Sequence, residues 1–409
     1  MDYVVIELIR LLLVFSVIIA VLYLKNSMYV ALLAATLAAT LVWRIPLTEA
    51  AVLLWKGASA WDTVSLILIL YVITFLQRLL EDRQQLKLAQ QDLYGLFNSR
   101  RVNAAFAPVL IGLLPSAAAV TICGEIVDEA SGDKLSVEEK TFVTSYFRHI
   151  PESFVPTYTT ILIMSNISGV RISDFVLLSL PLVAALYLIG YFYYIRRIPK
   201  ETGLPNSINR LADLVSLLKH LWTLLLIIVL ILAFQIPVLT ASLLVTALAW
   251  FFYRFRWHQI LHYLKRAVEW NIILNMLLIM IFKEFLAYTG VITVLPEFFE
   301  RFPLSQTLIF GLIFFFGALI SGSQAIATIC TAAAFAAVPG GGTALMVMLH
   351  SFAYAAMQIS PVHVCSAVII EFFHTSFGSL VRKGLPVILS FCVVSYLYYL
   401  FLTSLLGMS

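Results

Sequence analysis

Long apolar runs alternate with short polar segments along almost the whole chain. A helix that crosses a bilayer needs about 20 mostly apolar residues. Ten stretches meet or nearly meet this length, and two further apolar stretches are interrupted by polar residues. The pattern predicts an all-α polytopic membrane protein with about ten transmembrane helices. The ten stretches are 3–24, 27–43, 61–81, 141–169, 174–195, 217–235, 237–253, 267–289, 343–376 and 380–406.

The two interrupted stretches, 104–130 and 306–338, each contain a serine-bearing break. Residues 115–123 read PSAAAVTIC, and residues 321–330 read SGSQAIATIC. Non-helical backbone persists at membrane depth only when it is buried in protein or lines a cavity. We therefore predict two re-entrant hairpins whose tips build a substrate site. Small residues that allow tight helix packing are the alternative explanation.

Three matches at nearly constant offset indicate an internal duplication. Residues 180–195 align with 385–400 at offset 205, and residues 75–80 align with 282–287 at offset 207. The triplet Thr-Ile-Cys at 121–123 recurs at 328–330, again at offset 207. Five crossings in each half would make the second half inverted, which is the architecture of many secondary transporters.

The predicted organisation follows from this duplication. Residues 1–195 form the first repeat, with three helices, an interfacial arm at 81–101, hairpin 104–130, broken helix 141–169 and helix 174–195. A cytoplasmic linker spans 196–216. Residues 217–409 form the second repeat, with hairpin 306–338 and broken helix 343–376.

Positive charge predicts the orientation. If the N-terminus is outside, nineteen of the 26 Lys and Arg residues fall on the inner side, four fall outside and three lie within spans. This division fits the positive-inside rule. We expect a multi-pass protein of the cell inner (plasma) membrane, with both termini outside and its first helix retained. The net charge of +4 requires no nucleic-acid partner.

The hairpin tips supply the first candidate ligands. Hydroxyls, free carbonyls and helix N-termini at such tips can hold an anion or a sodium ion. The repeat places Ser116 opposite Ser323 and Thr121 opposite Thr328. The predicted substrate-binding residues at the tips are Ser116, Thr121, Ser321, Ser323, Gln324 and Thr328.

Charged residues at membrane depth supply the second set. The first broken helix contains SYFRHIPESFVPTY, with Arg148, His149 and Glu152. Such residues are functional candidates because burying charge in a bilayer is costly. We predict that Arg148 binds a carboxylate and that Glu152 or His149 carries a coupling proton or sodium ion. The alternative is a structural ion pair near the inner interface.

Metal chemistry is not expected from the sequence. Glu371 and His374 lie one turn apart with His363 nearby, which is too few convergent ligands. The four cysteines match no zinc or disulfide framework. We expect no metal and no cofactor besides a coupling Na⁺ or H⁺.

The motifs LLPSAAA, SYFRHIPE and FVPTY resemble the domain of unknown function 401 family of prokaryotic membrane proteins. That family carries Phe-Arg-His followed by Glu and Pro-X-Tyr, which here are residues 147–149, Glu152 and residues 156–158. Its hairpin tip has a double glycine, which the Pro115-Ser116 tip lacks.

The layout is similar to the ion transporter superfamily of gluconate, citrate and divalent-anion symporters. This resemblance implies organic-anion transport by elevator-like motion, usually in a homodimer. The Ser-Asn-Thr signature of the divalent-anion symporters is missing, so their sodium sites do not carry over.

The sequence therefore favours a secondary active transporter of a small, carboxylate-like organic anion, coupled to H⁺ or Na⁺. The site would lie between two opposed hairpin tips, and the protein would not be an enzyme. A channel that uses the same hairpins is the main alternative. An intramembrane enzyme is less favoured, because the chain has neither HExxH nor G-x-S-x-G.

Overall fold

A computed structural model describes the chain except residues 1–2, 25–27, 86–87, 90–91, 93–98, 114–116, 202–208, 292–302, 362, 405–406 and 408–409. The described residues form helices and no strand; one isolated bridge joins Ser99 to Glu201.

The described residues contain eighteen α-helices. The first nine are α1 (Tyr3–Tyr23), α2 (Met28–Val42), α3 (Leu47–Ser59), α4 (Trp61–Asp82), α5 (Arg100–Gly112), α6 (Ala117–Ser131), α7 (Val137–His149), α8 (Thr159–Ser168) and α9 (Ile172–Tyr193). The other nine are α10 (Arg210–Leu232), α11 (Val238–Tyr253), α12 (Trp257–Arg266), α13 (Trp270–Thr289), α14 (Gln306–Ser321), α15 (Ser323–Ala337), α16 (Gly342–Met357), α17 (Val364–Phe372) and α18 (Phe377–Ser404).

Five of the described helices are long and apolar enough to cross a membrane: α4, α9, α10, α13 and α18. Several shorter helices, including α11, α14, α15 and α16, are also apolar. An all-helical chain with these helices fits a membrane protein, as the sequence predicts. The helices are apolar on many sides, and large side chains such as Phe251 and Leu188 stay exposed on the surface, as expected for contact with lipid.

The second interrupted stretch breaks at a glycine. Helix α14 ends at Ser321, and α15 begins at Ser323. Between them Gly322 has φ +88° and ψ 157°, a conformation that side-chain-bearing residues rarely adopt. The two helices pack closely, because a Cβ on Gly317 would lie 2.3 Å from the Cδ1 atom of Ile326. The first interrupted stretch parts into α5 and α6 on either side of residues 114–116, which lie outside the described residues.

Two further breaks occur where the long stretches contain proline. Helix α7 ends at His149 and a short 3₁₀ turn covers Ile150–Ser153, with Pro151 at its start. The chain becomes helical again at Thr159. In the second half α16 ends at Met357 and α17 begins at Val364, after Pro361. Proline removes a helical hydrogen bond and disfavours helix in the preceding residue.

Helix contacts occur in matching sets in the two halves. Helix α5 packs on α6 and α7, just as α14 packs on α15 and α16. Helix α8 packs on α15, and α17 packs on α6. Helix α4 contacts α11, while α13 contacts α2. The helices that flank the four chain breaks therefore pack on one another, and most residues of α7 and α16 are buried.

Candidate functional site

A cavity of about 510 Å³ opens where α4, α8, α13 and α15 approach one another. Its wall combines apolar side chains with polar ones, and most of the polar side chains lie at the chain breaks. The polar lining residues are Thr74, Gln77, Glu152, Thr157, Tyr158, Thr159, Thr160, Glu269, Ser323, Gln324, Ser360 and His363.

Two helix N-termini face this cavity. Thr159 and Thr160 begin α8, and Ser323 and Gln324 begin α15; all four line the cavity. Neither helix has a side-chain cap at its N-terminus. The Oγ1 atom of Thr160 and the Oγ atom of Ser323 lie 3.3 Å apart, so the two ends meet. Uncapped backbone N–H groups and the positive ends of two helix dipoles create a favourable environment for negative charge.

Tyr158 fixes the start of α8 against the first helix pair. Its hydroxyl donates a hydrogen bond to the carbonyl oxygen of Gly112, the last residue of α5. Gly112 is itself pressed against α7, because a Cβ there would lie 1.9 Å from the carbonyl oxygen of Arg148. Tyr158 and Gly112 therefore connect the cavity wall to α5 and to the end of α7.

Two carboxylates line the cavity. Glu269 forms an ion pair with Arg78, with 2.9 Å between Oε1 and Nη2. The Oε1 atom of Glu152 lies 3.9 Å from Nε2 of His149. The backbone carbonyl of Glu152 accepts a hydrogen bond from Nε2 of His350 at 3.1 Å, which fixes the 3₁₀ turn against α16.

Arg148 is buried behind this wall, with only 2% of its surface exposed. It is not among the described residues that line the cavity. Its Nη1 atom lies 3.1 Å from Nε2 of His149 and 3.5 Å from Sγ of Cys365. The end of α7 is thus connected to the start of α17 in the other half of the chain.

His149 is completely buried beside Arg148. Its Nδ1 atom lies 2.6 Å from the carbonyl oxygen of Ser145, one turn earlier in α7. A carbonyl can only accept, so we assign the ring proton to Nδ1. The Nε2 atom then has a lone pair, which faces Nε2 of His363 at 2.8 Å. His363 also lines the cavity, so it connects the buried Arg148 and His149 to the cavity.

The sequence-predicted ligands occupy different places in the structure. Ser323, Gln324 and Glu152 line the cavity, whereas Arg148 and His149 lie behind it. Thr328 is buried one turn into α15, where its hydroxyl donates to the carbonyl of Gln324 at 2.7 Å, and it is not among the described lining residues. Ser116 and the side chains of Thr121 and Ser321 lie outside the described residues.

Several lining residues escaped the sequence analysis. Thr157, Tyr158, Thr159 and Thr160 follow Pro156 directly, and the run of hydroxyl residues after a proline break was the available signal. The cavity positions of Gln77 and Ser360 had no such signal, because their roles depend on how distant helices pack.

A family profile described as "Protein of unknown function (DUF401)" matches residues 8–402. No curated protein matches the chain.

Proposed function

We propose that this chain, which belongs to the DUF401 family of proteins of unknown function, is a secondary transporter that binds a small organic anion in the cavity between α8 and α15. The anion would be carboxylate-like and would cross the membrane by alternating access.

The observation that carries this proposal is the meeting of two uncapped helix N-termini at one cavity. Thr160 and Ser323 bring their hydroxyls to 3.3 Å of each other, and both are flanked by backbone N–H groups at helix starts. A carboxylate placed there can accept from hydroxyl and N–H donors on both sides. Discontinuous helices whose N-termini point at an anionic group recur in transporter sites.

The size and lining of the cavity favour a small organic ion. A volume of about 510 Å³ suits a ligand larger than a single inorganic ion. Leu70, Ile73 and Ile272 provide apolar surface for a carbon skeleton, and most of the polar groups lie at the chain breaks. The ion pair between Glu269 and Arg78 reduces the negative potential that Glu269 would add at the mouth of the cavity.

The helix contacts support an internal two-fold relation. If α1 to α9 are matched in order with α10 to α18, then α8 corresponds to α17 and α15 corresponds to α6. The contact of α8 with α15 therefore corresponds to the contact of α17 with α6. By the same matching, the contact of α4 with α11 corresponds to the contact of α13 with α2. This correspondence supports the 5+5 inverted repeat with two re-entrant hairpins, which we retain as part of the proposal.

A second cavity of about 480 Å³ supports alternating access. It shares two helices with the first cavity, because α4 supplies Ile69 to one and Leu70 to the other. Helix α8 supplies Thr160 to the first cavity and Ser165 to the second. Residues 161–164 between them are all buried. Five residues of helix span roughly 7 Å, so a thin apolar partition lies between the two cavities.

This partition favours a carrier over a channel. A conducting pore needs a continuous path in its open state, whereas a carrier exposes its site to one side at a time. Coupling to H⁺ or Na⁺ through Glu152 and His149, anion binding by Arg148, the homodimer and the outside location of both termini stay predictions from the sequence.

A thermal-shift screen of the purified full-length protein tests the proposal. The panel is acetate, succinate, citrate, gluconate and inorganic phosphate, with chloride salts at matched ionic strength as the control. A ligand at a hundred times its Kd stabilises the folded state by about 2.7 kcal/mol. We expect at least one organic anion to raise the midpoint.

The double variant Thr160→Val with Ser323→Ala tests the location. It removes both hydroxyls at the meeting point and should lower anion affinity at least tenfold, since each lost hydrogen bond costs about 1 kcal/mol. The matched control is Ser16→Ala, an exposed serine in α1 that bonds only within its own helix. A folded double variant with the wild-type anion response would overturn the site, and a panel without any response would overturn the substrate class.

A further inference from the structure

Three potential metal ligands converge behind the cavity from distant parts of the chain. Nε2 of His149, Nε2 of His363 and Sγ of Cys365 all lie within 4.8 Å of one another. His149 ends α7, while His363 and Cys365 flank the start of α17. Glu152 lies outside this three-residue cluster, but its Oε1 atom is 3.9 Å from Nε2 of His149. We propose that the two histidines and the cysteine, joined by Glu152, form a binding site for a divalent transition-metal ion of the zinc class.

The ring orientation of His149 is that of a metal ligand. Its Nδ1–H donates to the carbonyl oxygen of Ser145 at 2.6 Å, so its Nε2 lone pair points into the cluster. Metal-binding histidines characteristically donate their second ring N–H to a carbonyl or carboxylate, which fixes the tautomer. Ser145 and His149 are both fully buried, so this orientation is enforced by the packing of α7.

The donor set selects the kind of ion. Two imidazole nitrogens, one thiolate and one carboxylate suit tetrahedral Zn²⁺ or Co²⁺, whereas Na⁺ and Mg²⁺ prefer oxygen ligands. Zinc–nitrogen bonds of about 2.0–2.1 Å place two tetrahedral ligands roughly 3.3 Å apart. The nitrogens of His149 and His363 are 2.8 Å apart, so binding requires them to separate by about half an ångström. His363 lies in the short link between α16 and α17, directly before α17 begins.

Arg148 competes with the metal for the same lone pairs. Its Nη1 atom lies 3.1 Å from Nε2 of His149 and 3.5 Å from Sγ of Cys365, so the guanidinium stands where a metal ion would bind. Binding requires four changes: the guanidinium withdraws, the Glu152 carboxylate moves toward the cluster, Cys365 releases its thiol proton to solvent, and the ring proton of His363 moves from Nε2 to Nδ1. A divalent ion with one thiolate and the Glu152 carboxylate then forms a formally neutral site.

Cobalt spectroscopy tests this site without any transport assay. The full-length protein is purified in detergent, treated with a chelator and titrated with Co²⁺. We expect one Co²⁺ per chain, with tetrahedral visible bands and a thiolate-to-cobalt charge-transfer band that Zn²⁺ abolishes. Wild-type protein that shows no thiolate band at excess Co²⁺ would overturn the proposal, whatever the result of the anion screen.

Variants then assign the ligands. Cys365→Ser should abolish the charge-transfer band, and His363→Asn should raise the Co²⁺ concentration for half-saturation at least tenfold. The matched control is Cys392→Ser, because Cys392 is a buried cysteine in α18 outside the cluster. A band retained in folded Cys365→Ser, or lost equally in Cys392→Ser, would overturn the assignment. Should Cys365→Ser not fold, unchanged half-saturation in His363→Asn would do so independently.

Discussion

Replacing Gly112 by alanine should damage both the stability of the protein and the anion site. An added Cβ would lie 1.9 Å from the carbonyl oxygen of Arg148 and 2.9 Å from its carbonyl carbon. Cβ atoms essentially never approach another heavy atom closer than 3.0 Å, so α5 and α7 must separate by at least about 1 Å. The clash is with backbone, so no side-chain rotation can relieve it.

The magnitude of the destabilisation follows from overpacking and from one lost hydrogen bond. Overpacking of a close interface typically costs about 1–3 kcal/mol. The same movement displaces the Gly112 carbonyl from the hydroxyl of Tyr158, a hydrogen bond worth about 1 kcal/mol. The variant should therefore be destabilised by roughly 2–4 kcal/mol. Tyr158 lines the cavity, so part of this free-energy cost should fall on anion binding. A loss of about 1.4 kcal/mol in the free energy of binding would weaken the affinity tenfold.

The assay is thermal unfolding of purified protein with and without the anion found by the screen. Gly378→Ala is the matched control, since a Cβ on Gly378 would meet no heavy atom within 4 Å. We expect a large drop in the midpoint and a weaker anion response for Gly112→Ala, and neither effect for the control. An unchanged midpoint in Gly112→Ala would refute the reasoning, because α5 and α7 would then not be in the contact that defines the site.

Two further predictions concern partly exposed ion pairs. Burial alone would raise the pKa of the Glu139 carboxyl, but the N-cap backbone N–H and the ion pairs with Arg197 and Lys383 hold the pKa below its ordinary 4.5. This stabilisation is present above the unfolded-state pKa and is lost as pH falls through the folded-state pKa. In unfolding measurements, Glu139→Gln should therefore lower the free energy of unfolding by roughly 1 kcal/mol at neutral pH and have no effect at strongly acidic pH. An equal effect at both pH values would contradict the assignment. The ion pair between Lys56 and Glu284 joins α3 to α13, with 2.7 Å between Nζ and Oε2, but the lysine side chain is 67% exposed. Lys56→Met should therefore change the free energy of unfolding by less than about 1 kcal/mol. A larger loss would contradict solvent screening of this pair.

The sequence predicts local features of this fold better than distant contacts. As the long apolar runs predict, the described residues form helices and no strand, and five of these helices are long and apolar enough to cross a membrane. The family that the motifs in 145–158 predict is confirmed. Proline is a less reliable signal. Pro181 and Pro386 lie inside continuous helices, whereas Pro151 and Pro156 lie in a break. Proline removes one hydrogen bond inside a helix, and packing decides whether the helix continues.

The candidate site depends on pairs that no local pattern can bring together. Thr160 and Ser323 are separated by 163 positions, and His149 and His363 by 214. Each pair meets because α8 packs on α15 or because α17 returns to the end of α7. The sequence identifies Ser323 and His149 as unusual at membrane depth, but their partners follow only from the tertiary contacts. For the same reason Arg148, whose charge suggested a ligand in the cavity, is found behind the cavity wall.

Uptake by proteoliposomes tests the central claim most directly. The full-length protein is reconstituted, and entry of radiolabelled succinate, citrate and gluconate is followed under imposed pH and sodium gradients. The account predicts saturable uptake of at least one of these anions by the wild-type protein and the Ser16→Ala control, with strong loss in the Thr160→Val, Ser323→Ala double variant. Uptake that never saturates, or that persists unchanged in the folded double variant, would contradict a carrier with its site between α8 and α15.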